Sequence, residues 1–208
     1  MIATFTRYRK RLMLAAYSFI AVALLSGVIT VHAADVDEGV GAYVRSDYAT
    51  ALRILRQLAE QGNATAQSSL GLMYDKGKGV PQDYKEAVKW YRKSANQGNV
   101  NAQSNLGVMY GNGHGVTQDY KEAVRWYRKA ANQGNVNAQF NLGVMYGNGH
   151  GVPQDYVQAH MWFNLAAAQG MDEARKNRDI VAKKMSVEQI AQAKKLAQEW
   201  KPIRLRLL

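Results

Sequence analysis

Two histidines occupy matching places in the chain, in Gly113-His114-Gly115-Val116 and Gly149-His150-Gly151-Val152. Imidazoles suggest a metal first. A metal needs further ligands close by, and neither loop holds a carboxylate or a second histidine at ligand spacing, so both read as turn residues. Gly111, Gly113 and Gly115 have the outline of a phosphate loop. They follow a helical pattern rather than a strand, however, and no Lys-Ser or Lys-Thr pair comes after them. Trp90, Trp126 and Trp162 are of a type that stacks on sugars, but they recur inside apolar helical stripes and read as core. The chain has no cysteine, which excludes disulfides, thiolate metal sites and cysteine nucleophiles. The residues therefore point to no catalytic centre, metal or cofactor, and the expected class is a binding protein rather than an enzyme.

What orders these residues is internal repetition. Tyr48, Tyr84, Tyr120 and Tyr156 recur every 36 residues, each after an aspartate. Gly62, Gly98, Gly134 and Gly170 keep the same step, as do Ala66, Ala102, Ala138 and Ala174. Residues 83–118 and 119–154 differ at four positions only: Lys89/Arg125, Ser94/Ala130, Ser104/Phe140 and Thr117/Pro153. A period in the mid-thirties suits a stacked two-helix unit.

Within a unit, Asp83 three residues before Glu86 predicts a capping box that starts a second helix, B, over about residues 84–96. Asp119 with Glu122 repeats the pattern, and glycines 98, 134 and 170 should end these helices. On a helical wheel Tyr84, Ala87, Val88, Trp90, Tyr91, Ser94 and Ala95 share one broad arc, and charged residues fill the other side. An arc that wide implies contact with both its own partner helix and a neighbouring unit. The first helix, A, is expected over about residues 100–110. Ala102, Leu106, Met109 and Tyr110 line one side of it, and a glycine-rich loop follows from Gly111. Gly107, like Gly71 and Gly143, costs roughly 1 kcal/mol of helix stability against alanine, so close helix approach is its expected reason. His160 stands at the B-helix core position held by Val88 and Val124 and reads as a packed histidine.

Leu106-Gly107-Val108-Met109-Tyr110, Gly113-His114-Gly115-Val116, Asp119-Tyr120-Lys121-Glu122-Ala123, Trp126-Tyr127 and Ala130-Ala131-Asn132-Gln133-Gly134 closely resemble the Sel-one-like repeat, a relative of the tetratricopeptide repeat. The resemblance covers roughly residues 36–200. It implies an all-α, right-handed α-solenoid of antiparallel helix pairs and an adaptor role in assembling protein complexes. Exported bacterial members act in envelope signalling, polysaccharide assembly or host interaction. Cysteine-rich secreted relatives are linked to β-lactam hydrolysis. This chain lacks their cysteines and also lacks Ser-x-x-Lys and Lys-Thr-Gly.

The expected organisation is a signal peptide over residues 1–33, capping helices over 36–63, repeats at 64–99, 100–135 and 136–170, closing helices over 171–200 and a loose tail over 201–208. Arg7, Arg9, Lys10 and Arg11 precede an apolar run over residues 12–25, and Val31-His32-Ala33 fits a small-x-small cleavage site. The competing reading is an uncleaved membrane anchor, since the apolar stretch could reach Val31. Either way the repeats are expected outside the cytosol, periplasmic or secreted, and a nucleic-acid role is not expected. Membrane contact is expected only if the leader stays. In the closing region, Ile180, Val181, Met185, Ile190, Ala193, Leu196, Ala197 and Trp200 are the expected core, with Ser186 and Gln189 forming a capping box.

The net charge is +11, four positive charges of which lie in the leader. Two candidate binding surfaces result. In related helical repeats the A helices line a concave groove, and the outward arc of helix A maps there. Its members are Thr65, Ser68, Ser69 and Leu72, then Asn101, Ser104, Asn105 and Val108, then Asn137, Phe140, Asn141 and Val144. This face would hold a protein or peptide segment, with asparagines bonding its backbone. Phe140 is either an exposed anchor for the guest or a side chain packed under the C-terminal cap. The alternative surface is the charged side of the B helices, where Lys85, Lys89, Arg92 and Lys93 would meet an anionic glycan.

Overall fold

The computed structural model describes residues 33–203, which hold ten helices and no strand. They are α1 (Ala33–Val44), α2 (Tyr48–Glu60), α3 (Ala64–Lys76), α4 (Tyr84–Asn96), α5 (Val100–Asn112), α6 (Tyr120–Asn132), α7 (Val136–Asn148), α8 (Tyr156–Ala168), α9 (Asp172–Ala182) and α10 (Val187–Glu199). The helices α3, α5 and α7 are the A members, and α4, α6 and α8 are the B members. Each A helix packs on its own B helix, and each B helix packs on the next A helix, so the pairs form a continuous stack. The expected leader lies outside the described residues. Among the described residues, no helix is long and apolar enough to cross a membrane.

Local chemistry explains the helix limits. Asp83 Oδ1 accepts from the backbone N–H groups of Lys85 and Glu86 at 2.9 and 3.0 Å, and Asp119 repeats this on α6. Only half of the expected capping box forms. The N–H groups that the box would use, on Asp83 and Asp119, donate instead to the Tyr74 and Tyr110 carbonyls at 3.0 and 2.9 Å, and Glu86 and Glu122 pair with Lys89 and Arg125 at 2.8 and 3.0 Å. Ser186 and Gln189 do form the complete box. Helix A is two residues longer than the sequence suggests. It runs through Gly111 and Asn112 and stops at Gly113, whose φ of 71° is left-handed and open to glycine. Asparagines 63, 99 and 135 cap the A helices, each accepting at 2.9 Å from the alanine three residues on.

The pairs meet closely. A Cβ built on Gly107 would stand 2.6 Å from two ring carbons of Tyr127. Gly71 has the same relation to Tyr91, and Gly143 to Phe163. Close approach is thus the reason for these glycines. A second, polar connection joins the units. Gln103 donates to the Ala95 carbonyl at 3.2 Å and accepts from Gln133 Nε2 at 2.8 Å. Gln67 with Gln97, and Gln139 with Gln169, copy the relay. Buried amides bonded on both sides carry little desolvation penalty and fix the register of one unit on the next.

The C-terminal end departs from the repeat in a way that α8 anticipates. On α4 and α6, Lys93 and Lys129 lie over the Trp90 and Trp126 rings at 4.2 and 4.3 Å. On α8 the matching residue is Leu165, and Met161 replaces Arg125, so α8 is apolar on nearly every side. Three helices cover it: α7, α9 and α10. Leu196 and Ala197 of α10, and Trp200 just after it, join the core around Met161 and Trp162, with the two indole rings edge to face at 6.4 Å. Ile203 donates its backbone N–H to Asn132 O at 2.7 Å, so the first residues of the expected loose tail are tied to the end of α6. Ile180, expected in the core, is 54% exposed, because α10 packs on α8 rather than over this side of α9.

Candidate functional site

The residues with chemical potential sit in structural roles. His114 stacks on Tyr84 and His150 on Tyr120, with ring centroids 4.6 Å apart in both pairs. Among the described residues no group of three His, Asp or Glu side chains gathers in metal-ligating range. Trp90, Trp126 and Trp162 are buried, as expected of core residues. Burial pushes the Tyr127 hydroxyl far above the ordinary tyrosine range. It does the same to Tyr91, helped by the Asp75 carboxylate, so neither phenol ionises near neutral pH.

His160 is 2% exposed, and its Nδ1 has no hydrogen-bond partner. Burial first, then the positive charges of Arg178 on α9 and Lys194 on α10, push its pKa below 6.5, and Asp179 opposes them only in part. The folded chain therefore resists a proton that the unfolded chain accepts. Stability is full above about pH 6.5 and falls as the pH drops through the window below it. Urea titrations at pH 7.5 and 5.0 are expected to show a smaller acid loss for His160→Val than for wild type. Equal losses would place the acid sensitivity elsewhere.

The A-helix face holds a cleft of about 290 Å³. Ser68, Ser69 and Leu72 of α3, Asn101, Ser104 and Asn105 of α5, Asn137 of α7 and Asn135 just before α7 line it. Leu72 is half-buried and also packs against the core below. Ser68 and Ser104, expected on the open surface, are 8% and 5% exposed and form part of its buried lining. Asn135, which sequence reasoning missed, caps α7 with Oδ1 and reaches Asn101 Oδ1 with Nδ2 at 3.4 Å. Its signal was the asparagine spacing at 63, 99 and 135.

Five expected groove residues fall outside the cleft lining. Thr65 is exposed on the first turn of α3, and Asn141 is half-buried on α7. Val108 packs partly against the core around Val124 and Tyr127. Val144 and Phe140 pack against the cluster of Ala159, Phe163, Ala174 and Val181. Phe140 meets the Phe163 ring at 5.6 Å, so of its two readings the packed one holds.

Charge is unevenly spread over the middle helices. Lys, Arg, Asp and Glu are absent from α5 and α7, whereas α4 and α6 carry five each. The cleft thus offers amides and hydroxyls that both donate and accept, without a fixed charge. Such a lining suits peptide groups, each of which brings one donor and one acceptor. The basic side chains of the B helices are largely engaged within the chain. Arg92 and Arg128 donate to the Tyr110 and Tyr146 hydroxyls at 2.8 and 2.7 Å, beyond the ion pairs and tryptophan contacts above.

Comparison with known proteins agrees with this architecture. The Sel1 repeat model matches residues 37–63, 64–99, 100–135 and 136–171. No curated protein matches the chain. Among solved structures, the chain is similar to a protective antigen of uropathogenic Escherichia coli strains displaying an SLR fold, with 42% identity and a TM-score of 0.68 over 73% of this chain. It is also similar to a Sel1 repeat protein from Oxalobacter formigenes, with 36% identity and a TM-score of 0.65 over 69% of this chain. The chain spans 32% and 59% of the lengths of those two proteins. Sel1 repeat proteins mediate protein–protein interaction as scaffolds. With four consecutive matches and the stacked helix pairs that carry them, the chain belongs to the Sel1 repeat family.

Proposed function

We propose that this protein is an exported adaptor that holds a segment of a partner protein on the A-helix face. The observation that carries the reading is the charge-free cleft of serines and asparagines across α3, α5 and α7. Its exported setting rests on the basic and apolar leader. A regulatory or assembly role in the cell envelope is the setting this combination fits. Catalysis has no part in the reading.

Binding of an anionic glycan to the B helices is the second reading, supported by the concentration of lysine and arginine on α4 and α6. It is the weaker one, because most of those cations already have partners within the chain. Pull-down from envelope extract separates the two. Asn101 and Asn137 are exposed, so Asn101→Lys with Asn137→Lys changes the groove and leaves the core intact. The expected result is loss of partner from this variant and retention by Lys85→Glu with Lys121→Glu. The reverse pattern, with binding that collapses as salt rises, would favour the glycan.

A further inference from the structure

The residues that follow α10 run back along the stack, from α8 to α6. Trp200 meets the Trp162 ring of α8. Pro202 lies beside Gly134, just past α6. The Ile203 N–H donates to the carbonyl of Asn132, the last residue of α6, at 2.7 Å. Ile203 also forms part of the wall of a cavity of about 310 Å³. Lys129 and Asn132 of α6 stand on one side of it, and Ala95 and Asn96 of α4, with Gly98 just beyond, stand on the other. The next step on the same path is therefore the end of α4. Asn96 is the last residue of α4, as Asn132 is of α6, so its carbonyl too is among those that lack a partner inside the helix.

We propose that residues 204–208 of this chain occupy the cavity. The segment continues extended from Ile203, seats Leu205 about 7 Å further on against the α4 wall, and straps α10 to the repeat that holds α4. Residues 204–208 lie outside the described residues, and the proposal is independent of the groove reading above. Sequence pattern supplies the orientation. Ile203-Arg204-Leu205-Arg206-Leu207 alternates apolar and basic residues. In an extended chain this places Ile203, Leu205 and Leu207 on one side and the arginines on the other. Ile203 lines the cavity, so the leucines share the cavity side. No carboxylate lines the cavity, so nothing there draws an arginine inward. Ile203 is 60% exposed, and an aliphatic neighbour on its own side would take part of that apolar surface out of water.

The chain has no cysteine, so introduced pairs report without background. Asn96 is exposed at the α4 wall, where a cysteine leaves the core intact. Three double variants are treated with oxidised glutathione: Asn96→Cys with Leu205→Cys, Asn96→Cys with Arg204→Cys, and Lys85→Cys with Leu205→Cys. A disulfide needs Cβ atoms about 4 Å apart. The first pair is expected to close within the monomer severalfold faster than the second and more than tenfold faster than the third. Equal rates for the Leu205 and Arg204 pairs would overturn the proposal. So would disulfides formed only between two molecules, which would give the cavity to the segment of a second copy. Hydrogen exchange carries the test if a cysteine variant fails to fold. The Gln97 and Asn99 amides, bonded to the Ser94 carbonyl at the end of α4, are expected to exchange severalfold faster in Leu205→Asp with Leu207→Asp and to stay unchanged in Arg204→Asp with Arg206→Asp. No change in the leucine variant, or the same change in both, would equally overturn it.

Discussion

Replacing Gly107 by alanine is expected to destabilise the protein by about 2 kcal/mol, whereas replacing Gly111 by alanine is expected to stabilise it by about 1 kcal/mol. Both glycines lie on α5, one turn apart, and alanine is the better helix former at either place. Their surroundings decide the sign. At Gly107 the new methyl would stand 2.6 Å from two carbons of the Tyr127 ring, and that ring is buried with no room to retreat. Strain of this kind costs about 1–3 kcal/mol and can exceed the helical gain. At Gly111 the nearest atoms are the Tyr127 hydroxyl at 3.7 Å and the Ala123 Cβ at 3.8 Å, which is ordinary contact. Urea denaturation of the two variants gives the comparison. A shift of both midpoints in the same direction would contradict the close approach of α5 and α6.

The larger loss is expected for Leu106→Ala, at roughly 2–5 kcal/mol. Leu106 is fully buried, between α5 and the side chains of Val88, Tyr91 and Trp126. Truncation removes three carbons from a site held on two sides by neighbouring helices, so collapse around the cavity is limited. Units in a stack depend on their neighbours, so the loss should spread beyond one repeat. A thermal shift no larger than that of an exposed substitution such as Lys121→Ala would refute the burial.

The period, the helix pairs and the packing arcs are legible in the sequence because they depend on spacing alone. Leu106, Tyr127 and Trp126 fall where a 3.6-residue repeat places them. Features that are not legible depend on competition between local partners. Glu86 has the right offset for a capping box, but the Asp83 N–H it would bond goes to the Tyr74 carbonyl, and Glu86 pairs with Lys89. Gly111 and Asn112 have loop composition, yet helix α5 continues until Gly113 takes a left-handed turn. Gln103 and Gln133 look like surface residues, because nothing in a single repeat reveals that the next one will bring a matching amide.

The candidate site divides along the same line. Asn101, Ser104 and Asn105 are readable as one side of an A helix. That α3, α5 and α7 together make one cleft requires the inter-unit packing. Phe140 and Ile180 show the limit most clearly. Both occupy positions set by the repeat, but their exposure depends on the helices that come later in the chain. Phe140 finds Phe163 and α9, whereas Ile180 stays exposed because α10 packs on α8 instead. The apolar residues around α8 announce that something must cover it, but they do not single out α10 as the helix that packs there.

Hydrogen–deuterium exchange of the protein, alone and with the partner recovered by pull-down, tests the central claim most directly. A segment held on the A-helix face should slow exchange in the first turns of α5 and α7 and in the middle of α3, around Ser68 and Ser69, while the exposed sides of α4 and α6 stay unchanged. Protection confined to α4 and α6 would contradict it.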